Sequence, residues 1–332
     1  MTPRSYVARG PEDLIALVPY LLGFHPEESV VLLTFGAPAG SFHARVDLPG
    51  TDPDQEIAAE MLCEAVRNNR VEVAAVLVFS AEVERSRRMC EVLVPALCVS
   101  GASVIDAIQA DGRCWWSVLD DDPVSRPYDI SCHPFTAESV LHGHAAFRNR
   151  AELVASLVGN DPADIAQVAV AANTAADGLL EGGRPEAWER ARVNAVWFRD
   201  RLTEATRSDV ALPVADAGRA LVLAQLASMR DVACSRMSRE TAHEHVRLWR
   251  DLLRRAPADL VPGAAALLGL AAWLDGDGAL AWCAVERCQE LEPDHSLAQH
   301  LADLLQRAVP PSTWRPLEEA RISLLRGLEQ VS

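Results

Sequence analysis

The stretch His25-Pro26-Glu27-Glu28-Ser29 gathers the groups best suited to chemistry. An imidazole beside two carboxylates is the raw material of an acid–base pair, and Ser29 adds a hydroxyl that can donate or cap. The same residues can also serve as a tight helix-to-strand connection. Gly23 then takes a left-handed cap, Phe24 plugs the core and Pro26 stiffens the loop. The connection is the preferred reading, because a site needs converging partners that a single loop does not supply. His25-Pro26-Glu27 has the form of half a zinc-deaminase motif, but no Pro-Cys-x-x-Cys follows it.

Arg113-Cys114-Trp115-Trp116-Ser117 reads as a strand. Successive side chains point to opposite faces, so one Trp enters the core and the other, Trp116, is a candidate binding anchor. Cys132, His133, His142 and His144 form a loose set of metal-type ligands whose spacing fits no standard zinc site. Asp120-Asp121-Asp122 and Asp275-Gly276-Asp277-Gly278 lack the spaced ligands of a calcium loop. His243 and His245, two apart, cannot share a helical face as His-Glu-x-x-His requires. No metal and no cofactor is expected from these patterns.

Composition removes further classes. All 31 basic residues are Arg, so there is no Lys for a Schiff base or a P-loop. The 47 acidic residues give a net charge of −16. The imbalance holds in both parts: 21 acidic residues face 12 Arg up to residue 150, and 26 face 19 beyond it. With no basic tract, neither phosphate backbones nor anionic membranes are expected partners. No uninterrupted apolar run has the length of a membrane span, and the first residues lack a signal-peptide core. The eight cysteines are scattered, which suits a reduced, cytoplasmic setting.

The elements that must position these groups change character along the chain. Up to about residue 120 the periodicity gives a helix over 11–22, strands at 28–35 and 42–48 joined by a turn at 36–40, and a helix over 54–69. A strand at 71–79, a helix over 82–99, and strands at 103–108 and 113–119 follow. Ala110-Asp111-Gly112 between the last two marks a hairpin. This predicts an α/β domain over residues 1–130, with a mixed sheet of about five strands covered by helices.

From residue 135 the strand signal ends. Helical periodicity runs through 136–147, 149–158, 162–180, 185–206, 214–229, 238–255, 261–274, 278–291, 295–308 and 315–329. Gly182-Gly183 and several Pro punctuate these segments. An all-α domain is expected over 135–332. Within 262–308, Leu268, Gly269, Ala272, Gly276, Ala281, Val285 and Pro293 match a tetratricopeptide-like unit, although Ala265 stands where that repeat has an aromatic residue.

Four stretches carry a family resemblance. They are Tyr20-Leu-Leu-Gly-Phe-His-Pro-Glu-Glu-Ser-Val-Val-Leu-Leu33, Arg45-Val-Asp-Leu48, Asp111-Gly-Arg-Cys-Trp-Trp-Ser117, and Trp273 with Gly276-Asp-Gly-Ala-Leu-Ala281. In this order they resemble the actinobacterial family termed domain of unknown function 4192. In that family a Cys-Cys-Pro stretch often follows the Trp-Ser strand, where this chain has Asp120 to Tyr128. The resemblance implies a cytoplasmic actinobacterial protein and no particular activity.

The sequence therefore points first to a non-enzymatic protein-interaction or regulatory module. Its helical part would offer a groove to a protein partner, since helical stacks expose concave faces. The second reading is a small-molecule binder or hydrolytic enzyme with a site on the α/β part. That site would use His25, Glu27 and Glu28, with Arg45 and Asp129 as binding residues.

Overall fold

The computed structural model describes residues 8–37, 42–118, 120, 123–141, 146–180, 184–208 and 210–326. Pro38–Ser41, Asp121, Asp122, His142, His144, Gly182 and Gly183, named above, lie outside the described residues, as do 327–332. The chain forms two compact units, Met1–Leu153 with Gln306–Pro310, and Val154–Leu305 with Pro311–Ser332.

The first unit opens with α1 (Pro11–Leu22), β1 (Ser29–Phe35), β2 (His43–Asp47), α2 (Asp52–Asn69), β3 (Val73–Phe79), α3 (Val83–Val99) and β4 (Ser103–Ala110). β5 (Cys114–Ser117), β6 (Arg126–Pro127) and α4 (Pro134–Leu141) follow. The sheet has six strands in the order β2-β1-β3-β4-β5-β6, one more than the sequence predicts. The extra strand, β6, is two residues long and carries a Pro, too short for a periodicity to mark.

β3 and β4 are parallel around α3, and the other neighbours are antiparallel. One face buries Val30, Leu32, Val76 and Val78 under Leu62, Val66, Leu93 and Leu97 of α2 and α3. The alternate residues Val31, Leu33 and Leu77 are as deeply buried on the other face, where α1 packs on β4. Burial on both faces explains why β1 and β3 read as continuous apolar runs. The hairpin expected at 110–112 is present: Gly112 has φ 89°, and Asp111 N–H donates to Cys114 O at 3.0 Å.

α5 (Arg150–Ala155) leads on to the helices of the second unit. These are α6 (Pro162–Leu180), α7 (Arg184–Arg207), α8 (Val214–Ala224), α9 (Ala227–Ser235), α10 (Ala242–Arg255), α11 (Val261–Asp275), α12 (Gly278–Gln289) and α13 (Ser296–Gln306). α11 lies at the centre, with every residue from Val261 to Leu274 buried. The window 258–275 is long and apolar enough to cross a membrane, yet it packs against α8, α9, α10 and α12, as a core helix with no polar face must.

Two expectations are corrected. The helix read over 214–229 is two helices, broken at Gln225. There the Gln225 amide donates to Leu221 O at 3.0 Å and to Leu260 O at 2.9 Å, and Arg230 caps Gln225 O at 2.7 Å. The helix read over 315–329 is absent from the described residues, which hold a single 3-10 turn at Glu319–Arg321. Tertiary anchoring overrides local periodicity there. Trp314 Nε1 donates to Met237 O at 2.9 Å, and Glu319 accepts from Arg236 at 2.9 Å and Arg199 at 3.3 Å.

Candidate functional site

The loop between α1 and β1 is fixed at both ends. Gly23 caps α1 in the left-handed region at φ 73°. Phe24 is buried and forms a parallel bridge with Phe147, through His25 N–H to Phe147 O at 2.9 Å and Phe147 N–H to Gly23 O at 2.8 Å. This bridge holds residues 146–148 in the first unit, beyond the polar stretch at 120–134.

Glu28 is the conformational outlier of this loop, a non-glycine residue at φ 42°. Three interactions hold it. Its Oε1 accepts from Ser80 Oγ at 2.8 Å, its Oε2 pairs with Arg85, and its carbonyl accepts from Leu48 N–H at 2.8 Å. Ser80 in turn accepts from Glu82 N–H at 3.0 Å, and its carbonyl accepts from Gln109 Nε2 at 3.0 Å. Gln55 steadies the Arg85 main chain by donating to Arg85 O at 3.2 Å.

A second set lies beside it. The buried Ser29 hydroxyl accepts from Arg45 Nε at 2.9 Å and Nη2 at 2.7 Å, and donates to Glu27 O at 2.6 Å. Arg45 also pairs with Asp47 at 2.5 Å and lies over the Phe24 ring, 5.9 Å from its centroid. Both sets sit where β3 and the parallel β4 end, the rim at which open α/β sheets bind ligands. The sequence reading named Glu28 and Arg45 but missed Ser80, Arg85, Gln109 and Gln55. The signal for Ser80 was its place directly after an apolar strand.

The rim is chemically occupied by its own side chains. Glu28 and Arg45 are satisfied within the fold. No hydrogen bond or ion pair joins the His25 ring to Glu27 or Glu28, because the left-handed turn directs the Glu28 carboxylate to Ser80 and Arg85. His25 is exposed, with partial desolvation lowering its pKa. Two polar atoms of the Glu28 set stand apart: Gln109 Oε1 and Arg85 Nε are buried without a hydrogen-bond partner.

A family model for a domain of unknown function (DUF4192) matches residues 11–312. The chain belongs to the DUF4192 family. No curated protein and no solved structure matches it. The DUF4192 match begins at the first residue of α1 and takes in both compact units.

The remaining candidates of this DUF4192 member lie apart from the rim sets. Trp115 is the inward Trp of β5, with Arg126 over its ring at 4.8 Å. Trp116 is half-buried on the opposite face, across from Gln109. Asp129 is exposed, and its Oδ1 accepts from Ser131 N–H at 2.8 Å, which holds its carboxyl below the usual range. His133 Nε2 meets Asp13 Oδ1 at 2.9 Å, while its Nδ1 accepts from Phe135 N–H at 3.3 Å. That ring is a cap for α4, and no group of three metal-type ligands occurs among the described residues. Asp277 caps α12 by accepting from Leu280 N–H at 2.9 Å, and Asp275 lies 3.4 Å from His243.

The helical unit offers a different kind of surface. Ala195, Phe198 and Leu202 form the buried stripe of α7. Trp188, seven residues before Ala195, continues that stripe but is 52% exposed. A shallow open groove runs along another side of α7, lined by Glu186, Glu189, Arg190, Val193 and Asn194. Arg219 of α8 fixes its floor, donating to Asn194 Oδ1 at 2.8 Å and stacking over Trp197 at 4.0 Å.

Proposed function

We propose that this protein is a non-enzymatic interaction module that docks a protein partner on the N-terminal half of α7. The observation that carries the reading is Trp188. It belongs to the face of α7 that buries Ala195, Phe198 and Leu202, yet half of it stands in solvent. A large aromatic that extends a core stripe past its cover is the kind of anchor that partners bury. The acidic balance of the chain favours a basic, apolar segment. The paired α11 and α12, joined at Gly276 and closely packed at Gly269, are read as a tetratricopeptide-like unit supporting that surface. Satisfaction of Glu28 and Arg45 within the rim argues against the alternative, a catalytic or small-molecule site at His25.

The test is affinity capture from native cytoplasm with the full chain, Trp188→Ala and Trp116→Ala, with native mass spectrometry alongside. The reading expects one stoichiometric protein, retained by Trp116→Ala and lost with Trp188→Ala. Capture that is indifferent to Trp188 sinks it. A small molecule that co-purifies with the chain and is lost in His25→Ala sinks it in favour of the rim.

A further inference from the structure

The two edges of the sheet are built differently. One ends in β6, two residues long and carrying Pro127, a usual way of blunting an edge. The other ends in β2, five residues with no Pro and no bulge, and with no strand on its outer side among the described residues. The direction of its main chain follows from its bonds to β1. Leu48 N–H donates to Glu28 O, and Phe42 N–H donates to Thr34 Oγ1 at 3.1 Å. Even-numbered residues of β2 therefore turn their amides towards β1. His43, Arg45 and Asp47 turn theirs, with their carbonyls, to the open edge.

An incoming antiparallel strand must place its own outward residues opposite these. If the strand is β2 of a second copy, three registers keep two or more such pairs, and the one centred on Ala44 sets Arg45 opposite His43 twice, with no carboxylate to meet the guanidinium. Centred on Arg45, the pairing sets two Arg opposite each other. Centred on Val46, it sets Arg45 opposite Asp47 twice. Asp47 keeps 85% of its side chain in solvent, and Arg45, 17% exposed and paired with its own Asp47, lies on the same face of β2, where its guanidinium can share a second carboxylate. We infer that β2 pairs antiparallel with β2 of a second copy of this chain, with Val46 on the twofold axis and Arg45 opposite the partner's Asp47. Each such pair exchanges two main-chain hydrogen bonds, and the six-stranded sheet becomes continuous across the axis.

Sedimentation of the full chain over a concentration series tests this, with Asp47→Arg and Arg45→Asp alone and mixed. The wild type is expected to dimerise. Asp47→Arg is expected to dissociate about tenfold more readily or worse, since like charges then face each other twice. Mixing the two variants restores complementary pairs and should give the heterodimer in preference to either homodimer. Val46→Cys, in a background with the exposed Cys98 and Cys132 changed to Ser, should form a disulfide to its own copy where Ala44→Cys does not. A wild type that stays monomeric overturns the inference. So does a dimer that Asp47→Arg leaves unchanged, which places the interface elsewhere. Asp47 is exposed, so its variant remains informative even if Arg45→Asp fails to fold.

Discussion

Glu28 and Ser80 meet at 2.8 Å across 52 residues of sequence, and their contact holds a left-handed glutamate at the entrance to β1. Any side chain pays a conformational cost at that φ, and glycine does not. Glu28→Ala is expected to destabilise the protein by about 1–3 kcal/mol, through loss of the Ser80 and Arg85 interactions with the backbone strain retained. Glu28→Gly should lose less, by roughly 0.5–1 kcal/mol, because the strain is relieved. Urea denaturation of the two variants checks the order; a more stable Ala variant would contradict it.

Burial lowers the pKa of both His43 and His245 to about 4. An unfolded histidine takes up its proton below about pH 6.5, whereas these stay neutral in the folded chain until about 4. Stability is therefore greatest above about pH 6.5 and declines as the pH falls towards 4, by on the order of 3 kcal/mol per ring. His245→Gln can keep a donor for Arg236 O and removes one of the two titrations. Its unfolding free energy should fall less steeply over that window than the wild type's.

Asp277 shifts the other way. Burial at the start of α12 raises its carboxyl to about 6, with Arg250 opposing the shift and Asp275 adding to it. The folded chain holds a proton there that the unfolded chain releases above about pH 4. The folded state is thus penalised as the pH rises through 6. Asp277→Asn can still accept from Leu280 N–H and carries no charge. It should match the wild type near pH 4 and exceed it by about 1–3 kcal/mol near pH 7.5. Equal differences at the two pH values would refute the assignment.

Two helical glycines should respond oppositely to the same change. A Cβ at Gly218 would lie 2.6 Å from Ala172 N and 2.8 Å from Ala171 Cβ, where α8 crosses α6. At Gly178, in α6, a Cβ meets nothing within 4 Å. Gly218→Ala is expected to cost about 1–3 kcal/mol or more by forcing the helices apart. Gly178→Ala should gain about 0.4–1 kcal/mol. Melting temperatures of the pair are sufficient to decide.

The elements were legible where one local signal governs. α6 runs from Pro162 to Leu180 as its periodicity predicts, and Asp111-Gly112 makes its hairpin. The break at Gln225 was hidden because no Gly or Pro marks it; its cause is a side-chain amide bonding a carbonyl 35 residues away. The site was legible in half. Glu28 and Arg45 stand out in a distinctive loop and strand, but Ser80 and Arg85 join Glu28 only because β3 lies beside β1. Periodicity carries no information on that neighbourhood. The extra strand β6 depends likewise on a partner, β5, and not on its own two residues.

The burial of α11 on every side from Val261 to Leu274 has a kinetic meaning. A helix with no water-tolerant side cannot be released in one orientation and kept in another, so its main-chain hydrogens have no shallow route to exchange. Amides from Ala264 to Leu274 should exchange at the slowest rates in the helical unit, through opening of the unit as a whole. Proteolytic susceptibility of that unit would then follow a single cooperative event.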